Sequence, residues 1–505
     1  MKTVKKISAS GKIISVCSWL ILAVFLSSTA SVLADENSDN TPNFGVRGNR
    51  ITSNCVIDGG VLVIPQVPPP PNTVSPAPCE GIVLALDASP NARWSVDISW
   101  FDPVTQKLYL ADRNNGGVDI FDTKSETAVG FAGGFVGTGC PGTLNCLPAP
   151  PANSAGPNGV LTTTTPHQLW AGDGDGSIRV YSLDGNGLPT SNNPLKVIPA
   201  SETGAMRRAD ELAYDPDHQL ILMAWDDDSD LFIALISVSP DPNNIKVVKQ
   251  IYFRSPNPLG TDCPIGGCST MGIEQAAYDP GTRKFYLAVP ASEGHPNGEI
   301  AVIDPQSKEV VDAFDTTGTG PGDGVPCFPH GLAVGPRQNL LLGCSADGGP
   351  GAQLITIIMK ATTGKVLKTF TQLGGSDEVW HNPGDNKYYL ALSSWTSTGI
   401  VSNPPNAPSL STPSLGIIDA GSRDSGPGEP EWIQNILTTR TSHSVAAGFA
   451  CERDDRGRGD DKHGGKCDDI VRKHAYVPLT TVPIPLGATA TLNESGGIGI
   501  FGRLP

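Results

Sequence analysis

The chain has 505 residues, of which 38% are hydrophobic and 17% charged, with 58 glycines and 45 prolines. This composition fits many short strands joined by tight turns and excludes long charged helices. The formal net charge of -16 leaves no basic face for a phosphate backbone, so a nucleic-acid partner is excluded and cationic ligands or metal ions are favoured.

Residues 1–34 read as an export signal. Lys2, Lys5, Lys6 and Lys12 form a positive leader, an apolar run follows over 13–26, and Val32-Leu33-Ala34 offers small residues for cleavage before Asp35. The rival reading is an uncleaved anchor, for which the run is short. Cys17 lies inside the run without a lipoprotein cleavage pattern behind it. No later segment is long and apolar enough to cross a bilayer. The mature chain is therefore expected in the periplasm or the external medium, as a monomer. Residues 35–80 read as an irregular, Pro-rich lead-in, with Pro68-Pro69-Pro70-Pro71 stiff and extended.

An imperfect repeat occupies residues 81–505. Its first clear copy is Val96-Asp97-Ile98-Ser99-Trp100-Phe101-Asp102-Pro103, then Lys107-Leu108-Tyr109-Leu110-Ala111-Asp112, then Gly117-Val118-Asp119-Ile120-Phe121-Asp122, closing on Ala128-Val129-Gly130-Phe131. The Asp-Pro turn returns at Asp215-Pro216 and Asp279-Pro280, with variants at Gly335-Pro336 and Asn382-Pro383. Four short strands per unit, with almost no helical periodicity, are the arithmetic of propeller blades. First strands beginning near Ser95, Gly159, Asp210, Ile273, Gly331, Glu378 and Ser444 predict an all-β, seven-bladed β-propeller. The last blade ends on Ile498-Gly499-Ile500-Phe501, one strand short. The segment 81–86, placed just before the first blade, is expected to supply the missing strand and close the ring.

Besides Cys17, ten of the 11 cysteines form close pairs: Cys55 with Cys79, Cys140 with Cys146, Cys263 with Cys268, Cys327 with Cys344, and Cys451 with Cys467. In an oxidising compartment these read as structural disulfides closing local loops. Metal binding is the rival reading, and no pair has CxxC spacing.

The phrases Ala301-Val302-Ile303-Asp304-Pro305, Pro329-His330-Gly331-Leu332-Ala333-Val334 and Gly375-Ser376-Asp377-Glu378-Val379-Trp380 resemble the YVTN or YncE-like seven-bladed propellers, and more distantly the lactonase-type propellers. The resemblance spans about residues 81–503 and implies the fold, while propellers host many unrelated activities. The likeness to lactonase propellers and to virginiamycin B lyase implies a metal-dependent alternative, although those families' motifs do not match residue by residue.

The first strand of each blade lines the channel, so the residues at its start form a ring at one rim. That ring reads Asp97, Asn158, Asp210 with Glu211, Glu274 with Gln275, His330, Asp377 with Glu378, and His443. His330, Glu378 and His443 fall on three consecutive blades and are candidate ligands for a divalent metal ion of unknown identity. The other reading is that the histidines stitch blades together. Asp97, Asp210, Glu211 and Glu274 form an acidic half-ring, either raising one another's pKa or capping backbone amides. Glu274, Asp210 and Glu211 are the candidate proton-moving groups, and Asp97, Asn158, Gln275 and Asp377 the candidate ligand contacts. Three charged runs, 172–176, 225–230 and 454–469, read as turns or a solvated insertion. A GxSxG elbow, a P-loop, an HExxH and a CxxCH motif are all missing. Two functions follow: a propeller binding a small molecule or protein at its rim, or a divalent-metal-dependent lactonase- or lyase-type enzyme.

Overall fold

A computed structural model describes residues 44–46, 56–57, 61–63, 96–113, 116–125, 127–135, 156–204, 207–226, 231–254, 262–317, 324–396, 398–401, 413–421, 428–438, 442–451, 470–484 and 493–503. The lead-in contributes three short strands, β1 (Phe44–Val46), β2 (Val56–Ile57) and β3 (Val61–Val63). Blade 1 follows as β4 (Val96–Asp102), β5 (Lys107–Asp112), β6 (Gly117–Asp122) and β7 (Thr127–Gly133). Blade 2 is β8 (Pro157–Thr164), β9 (His167–Asp173), β10 (Ile178–Ser182) and β11 (Lys196–Ile198). Blade 3 is β12 (Ala209–Asp215), β13 (Leu220–Trp225), β14 (Phe232–Ser237) and β15 (Val247–Tyr252). Blade 4 is β16 (Ala276–Asp279), β17 (Lys284–Val289), β18 (Glu299–Asp304) and β19 (Glu309–Asp315). Blade 5 is β20 (Pro329–Gly335), β21 (Asn339–Cys344), β22 (Thr356–Lys360) and β23 (Val366–Phe370). Blade 6 is β24 (Val379–Asn382), β25 (Lys387–Leu392), β26 (Ser414–Asp419) and β27 (Glu431–Leu437). The last strands are β28 (Ala446–Cys451), β29 (Ile470–Ile484) and β30 (Asn493–Arg503).

The fold is an all-β propeller. Each blade is an antiparallel meander, and the first strands of successive sheets adjoin one another around the centre. The expected count of seven blades is corrected: six four-stranded blades are present among the described residues, and the remaining strands make one wider sheet of six. Its order is β28-β29-β30-β3-β2, with β1 also on β30. The physical reason is the long β29–β30 hairpin of 15 and 11 residues, which exposes an edge that several lead-in strands share. The partner of β30 is thus β3, with Val61 opposite Gly499. The segment 81–86 lies outside the described residues.

A repeated turn chemistry explains why four of the blades begin alike. After the first strands of blades 1, 3, 4 and 6 a side chain closes an Asx turn. Asp102 Oδ1 accepts from Val104 N at 2.9 Å, Asp215 Oδ1 from Asp217 N at 2.8 Å, Asp279 Oδ1 from Gly281 N at 2.9 Å, and Asn382 Oδ1 from Gly384 N at 2.9 Å. Each turn then ends on a left-handed residue: Gln106, Gln219, Arg283 and Asn386. The strands that follow are buried on both faces, so they read as apolar runs rather than alternating ones. Trp170, Trp225 and Phe232 fill the seam between blades 2 and 3, and Leu341, Tyr388 and Leu390 that between blades 5 and 6. The wider sheet packs on blade 6 through Ala447 and Val477 against Tyr389, and on blade 1 through Ala446, Tyr476 and Ile498 against Leu108.

Two of the five expected cysteine pairs are bonded as expected: Cys263 with Cys268 and Cys327 with Cys344, with Cα–Cα separations of 5.1 and 4.9 Å. Each of the other three pairs has at least one cysteine outside the described residues. No helix among the described residues is long and apolar enough to cross a membrane.

Candidate functional site

The ring residues are aimed by a device repeated from blade to blade. In β4, β8, β12 and β20 the pairing register slips by one residue at the very start of the strand. Blades 4 and 6 do the same just before their first strands. Glu274 N donates to Ala288 O while Ala288 N donates to Gln275 O, and Asp377 and Glu378 share Ala391 in the same way. Such a bulge places consecutive side chains at one rim instead of on opposite faces. Gly159 sits in one of these bulges because its neighbour is the backbone of Asp210: a Cβ there would lie 1.4 Å from Asp210 O.

Asp97 is the centre of a first cluster. Its Oδ1 accepts from His443 Nε2 at 2.9 Å, and its Oδ2 pairs with Arg113 Nη2. Arg113 also donates to Asn158 Oδ1, from Nε at 2.9 Å and from Nη2 at 2.6 Å. Burial works against the charge on Asp97, but Arg113 and His443 override it and bring its pKa down to about 2. Burial likewise opposes the charge on His443, and Asp97 outweighs it, raising the imidazole pKa. Asn158 Nδ2 is buried without a hydrogen-bond partner.

A second cluster surrounds Arg208, held at the left-handed φ of 43° just before β12. Its Nη2 lies 2.7 Å from Asp210 Oδ2 and its Nη1 2.7 Å from Asp226 Oδ2. Burial nevertheless raises the pKa of Asp210 to about 7, because Asp97 and Asp226 oppose the help from Arg208. Asp210 Oδ1 and Arg208 Nε are buried with no partner.

Glu211 and Glu378 form a third. Both are buried, and their carboxyls act on each other from blades 3 and 6. Burial and then the partner carboxyl push the pKa of Glu211 well up; burial also pushes Glu378 up. Burial thus favours the neutral form of both.

The fourth cluster is on blades 4, 5 and 6. His330 Nδ1 lies 3.5 Å from Glu274 Oε1 and 3.3 Å from Asp377 Oδ1, while Nε2 lies 2.7 Å from Asp347 Oδ2. Burial opposes the charge on His330, and Glu274, Asp347 and Asp377 together raise its pKa well above the ordinary imidazole value. Gln275 fastens this region. Its Oε1 accepts from Leu332 N at 2.6 Å and Val379 N at 3.2 Å, and its Nε2 donates to Val379 O at 3.2 Å, so one side chain spans blades 4, 5 and 6.

The three residues read as a metal set, His330, Glu378 and His443, are thus divided among three clusters. The described donor group close enough to hold one ion is Glu274, His330 and Asp377. Gln275 binds backbone. Glu274, Asp210, Glu211, Asp97, Asn158 and Asp377 all stand at the same rim. Sequence reasoning missed Arg113, Arg208, Asp226 and Asp347. Second strands return to the rim where first strands begin, so residues just past their ends face the ring. Asp226, within a run read only as a charged turn, carries that signal.

No family model matches the chain, and no curated protein matches it. Among solved structures it is similar to a chain of the mitotic checkpoint complex, at 10% identity and TM-score 0.47, covering 83% of this chain and 89% of that one. It is also similar to hydrazine synthase of Kuenenia stuttgartiensis, at 12% identity and TM-score 0.46, covering 70% and 90%. A third is the Pan2 WD40 domain of Neurospora crassa, at 10% identity and TM-score 0.43, covering 82% and 90%. The chain is a β-propeller by its own sheet topology.

Proposed function

We propose that the protein is an exported, monomeric β-propeller that binds a small cationic ligand at the acidic end of its central channel. In this reading six blades and the wider sheet stand around the channel, and the resemblance to YVTN or YncE-like propellers is one of fold. The basic leader of residues 1–34 and the two disulfides support export.

One observation carries the reading. Eight carboxyl groups, on Asp97, Asp210, Glu211, Asp226, Glu274, Asp347, Asp377 and Glu378, converge with two guanidinium groups, Arg113 and Arg208, and two imidazoles, His330 and His443. Burial and mutual crowding push Asp210, Glu211, Glu274 and Glu378 toward their neutral forms, and a ligand cation would relieve that crowding by favouring their ionisation. For the lactonase- or lyase-type alternative, Glu378 and His443 are not in the donor group close enough to hold one ion, so the binding reading is preferred.

The test is thermal unfolding with spermidine, choline and agmatine, against citrate and adipate. At 100 times its Kd a ligand adds about 2.7 kcal/mol to stability. The cations are expected to raise the midpoint, and Asp210→Asn with Glu211→Gln to remove the rise. Equal effects of cations and anions, or none from either, would overturn the reading.

A further inference from the structure

The geometry points to a divalent-cation site made by Glu274, His330 and Asp377, with Asp347 as its outer partner. This deepens the reading of an acidic, cation-binding channel end and rests on it.

The donor spacing comes first. His330 Nδ1 faces Glu274 Oε1 at 3.5 Å and Asp377 Oδ1 at 3.3 Å, and one donor atom from each residue lies within 4.8 Å of the others. Nδ1 is within hydrogen-bond reach of Asp377, but both separations exceed the usual N···O distance of about 2.7–3.2 Å. They fit a different geometry. Metal–nitrogen and metal–oxygen bonds of about 2.0–2.2 Å at tetrahedral angles put neighbouring donors about 3.3–3.5 Å apart. A single proton on Nδ1 cannot serve two carboxylates well at these distances, whereas one ion between the three donors can.

The far side of the imidazole is already arranged for this. Nε2 donates to Asp347 Oδ2 at 2.7 Å. With Nε2 held by Asp347, an ion arriving between Glu274 and Asp377 would displace the proton on Nδ1 and take up its lone pair. A carboxylate behind a ligating histidine is the usual outer support of a metal site, fixing ring orientation and strengthening the donor. A histidine that merely stitched blades would need one carboxylate, and His330 faces three.

The donors are also rigidly mounted. They come from the bulged strand starts of blades 4, 5 and 6, and the Gln275 side chain ties the three strands within one residue of Glu274. Backbone bonds add to this, with Gln275 N donating to His330 O at 3.1 Å. Preorganisation of this kind keeps donors in place before the ion arrives. One nitrogen and two carboxylate oxygens suit zinc or manganese, and three protein donors leave a coordination position open to a further ligand.

The full chain would be stripped with a chelator, dialysed, and titrated with zinc chloride and with manganese chloride by calorimetry, with metal content read by elemental analysis. Cobalt(II) substitution adds a visible absorption signature of coordination. One ion per chain is expected. His330→Ala and the conservative pair Glu274→Gln and Asp377→Asn should abolish stoichiometric binding, and Asp347→Asn should weaken it by about 10–100-fold. Circular dichroism would confirm that each variant is folded. Stoichiometric binding unchanged in folded Glu274→Gln or Asp377→Asn, or no binding by the wild type, would overturn the site. If zinc and manganese fail while spermidine still stabilises the protein, only this inference falls; if both fail, the acidic-channel reading falls with it.

Discussion

His443 Nε2 donates to Asp97 Oδ1 at 2.9 Å across a sequence separation of 346 residues. The bond joins blade 1 to the segment leading into β28. A second link lies beside it: Ser99 N donates to Ser444 Oγ at 2.8 Å, and the two hydroxyls are 3.0 Å apart. The first blade and the last sheet are thus held by a charged pair and by a neutral hydrogen bond.

Asp97→Asn should be costly, because Arg113 keeps its charge while losing its carboxylate partner. Removing one member of a buried pair costs about 3–5 kcal/mol. The pH dependence has two edges. The pKa of Asp97 is depressed from 3.8 to about 2, so its contribution is present above the ordinary value and lost as pH falls through the folded one. The pKa of His443 is raised above 6.5, so its contribution is present below that value and lost as pH rises through the folded one. Urea unfolding at pH 3, 5.5 and 8 should show the largest gap between wild type and variant at pH 5.5. A gap independent of pH would contradict this.

Asp119→Asn should stabilise the protein at neutral pH. Asp119 is buried near Asp112 in blade 1, its Oδ2 has no hydrogen-bond partner, and burial followed by Asp112 pushes its pKa well above 3.8. A carboxyl raised in this way costs stability as pH rises above its unfolded value, and asparagine removes that cost. One pKa unit corresponds to about 1.4 kcal/mol. Chemical denaturation should show a gain of at least about 1 kcal/mol at pH 7 and none at pH 3.

Gln275→Ala should destabilise the propeller by about 2–3 kcal/mol, since Leu332 N and Val379 N would both lose their acceptor in a partly buried setting. Gln275→Glu keeps the acceptor and loses the bond to Val379 O, so its cost should be smaller. Equal costs in urea melts would show that the bridging role is wrong.

Replacing Cys327 and Cys344 by serine opens a loop of sequence separation 17. A loop of that order is worth about 3 kcal/mol in the chain-entropy account. Guanidinium unfolding of the double variant should lose about that much, and an unchanged midpoint would contradict a structural role.

Much of the fold was legible because blade chemistry is local. Asp102, Asp215, Asp279 and Asn382 each set an Asx turn from their own side chain, and apolar runs such as Leu220–Trp225 are strands buried on both faces. The rim positions were legible for the same reason, as starts of first strands. Their partners were not. Glu211 meets Glu378 from blades 3 and 6, a relation set by ring geometry and not by spacing. Arg113 and Asp226 come from the ends of second strands, and bulges of one residue decide which side chain points where. The blade count failed at the last sheet, where the partner of β30 comes from residues 61–63 of the lead-in.

The most direct measurement is a calorimetric titration of the full chain with spermidine at low salt, beside Asp210→Asn/Glu211→Gln. Saturable binding to the wild type, weakened by salt and lost in the folded variant, is the predicted result. No binding, or equal binding to both proteins, would contradict a cation site at the acidic end of the channel.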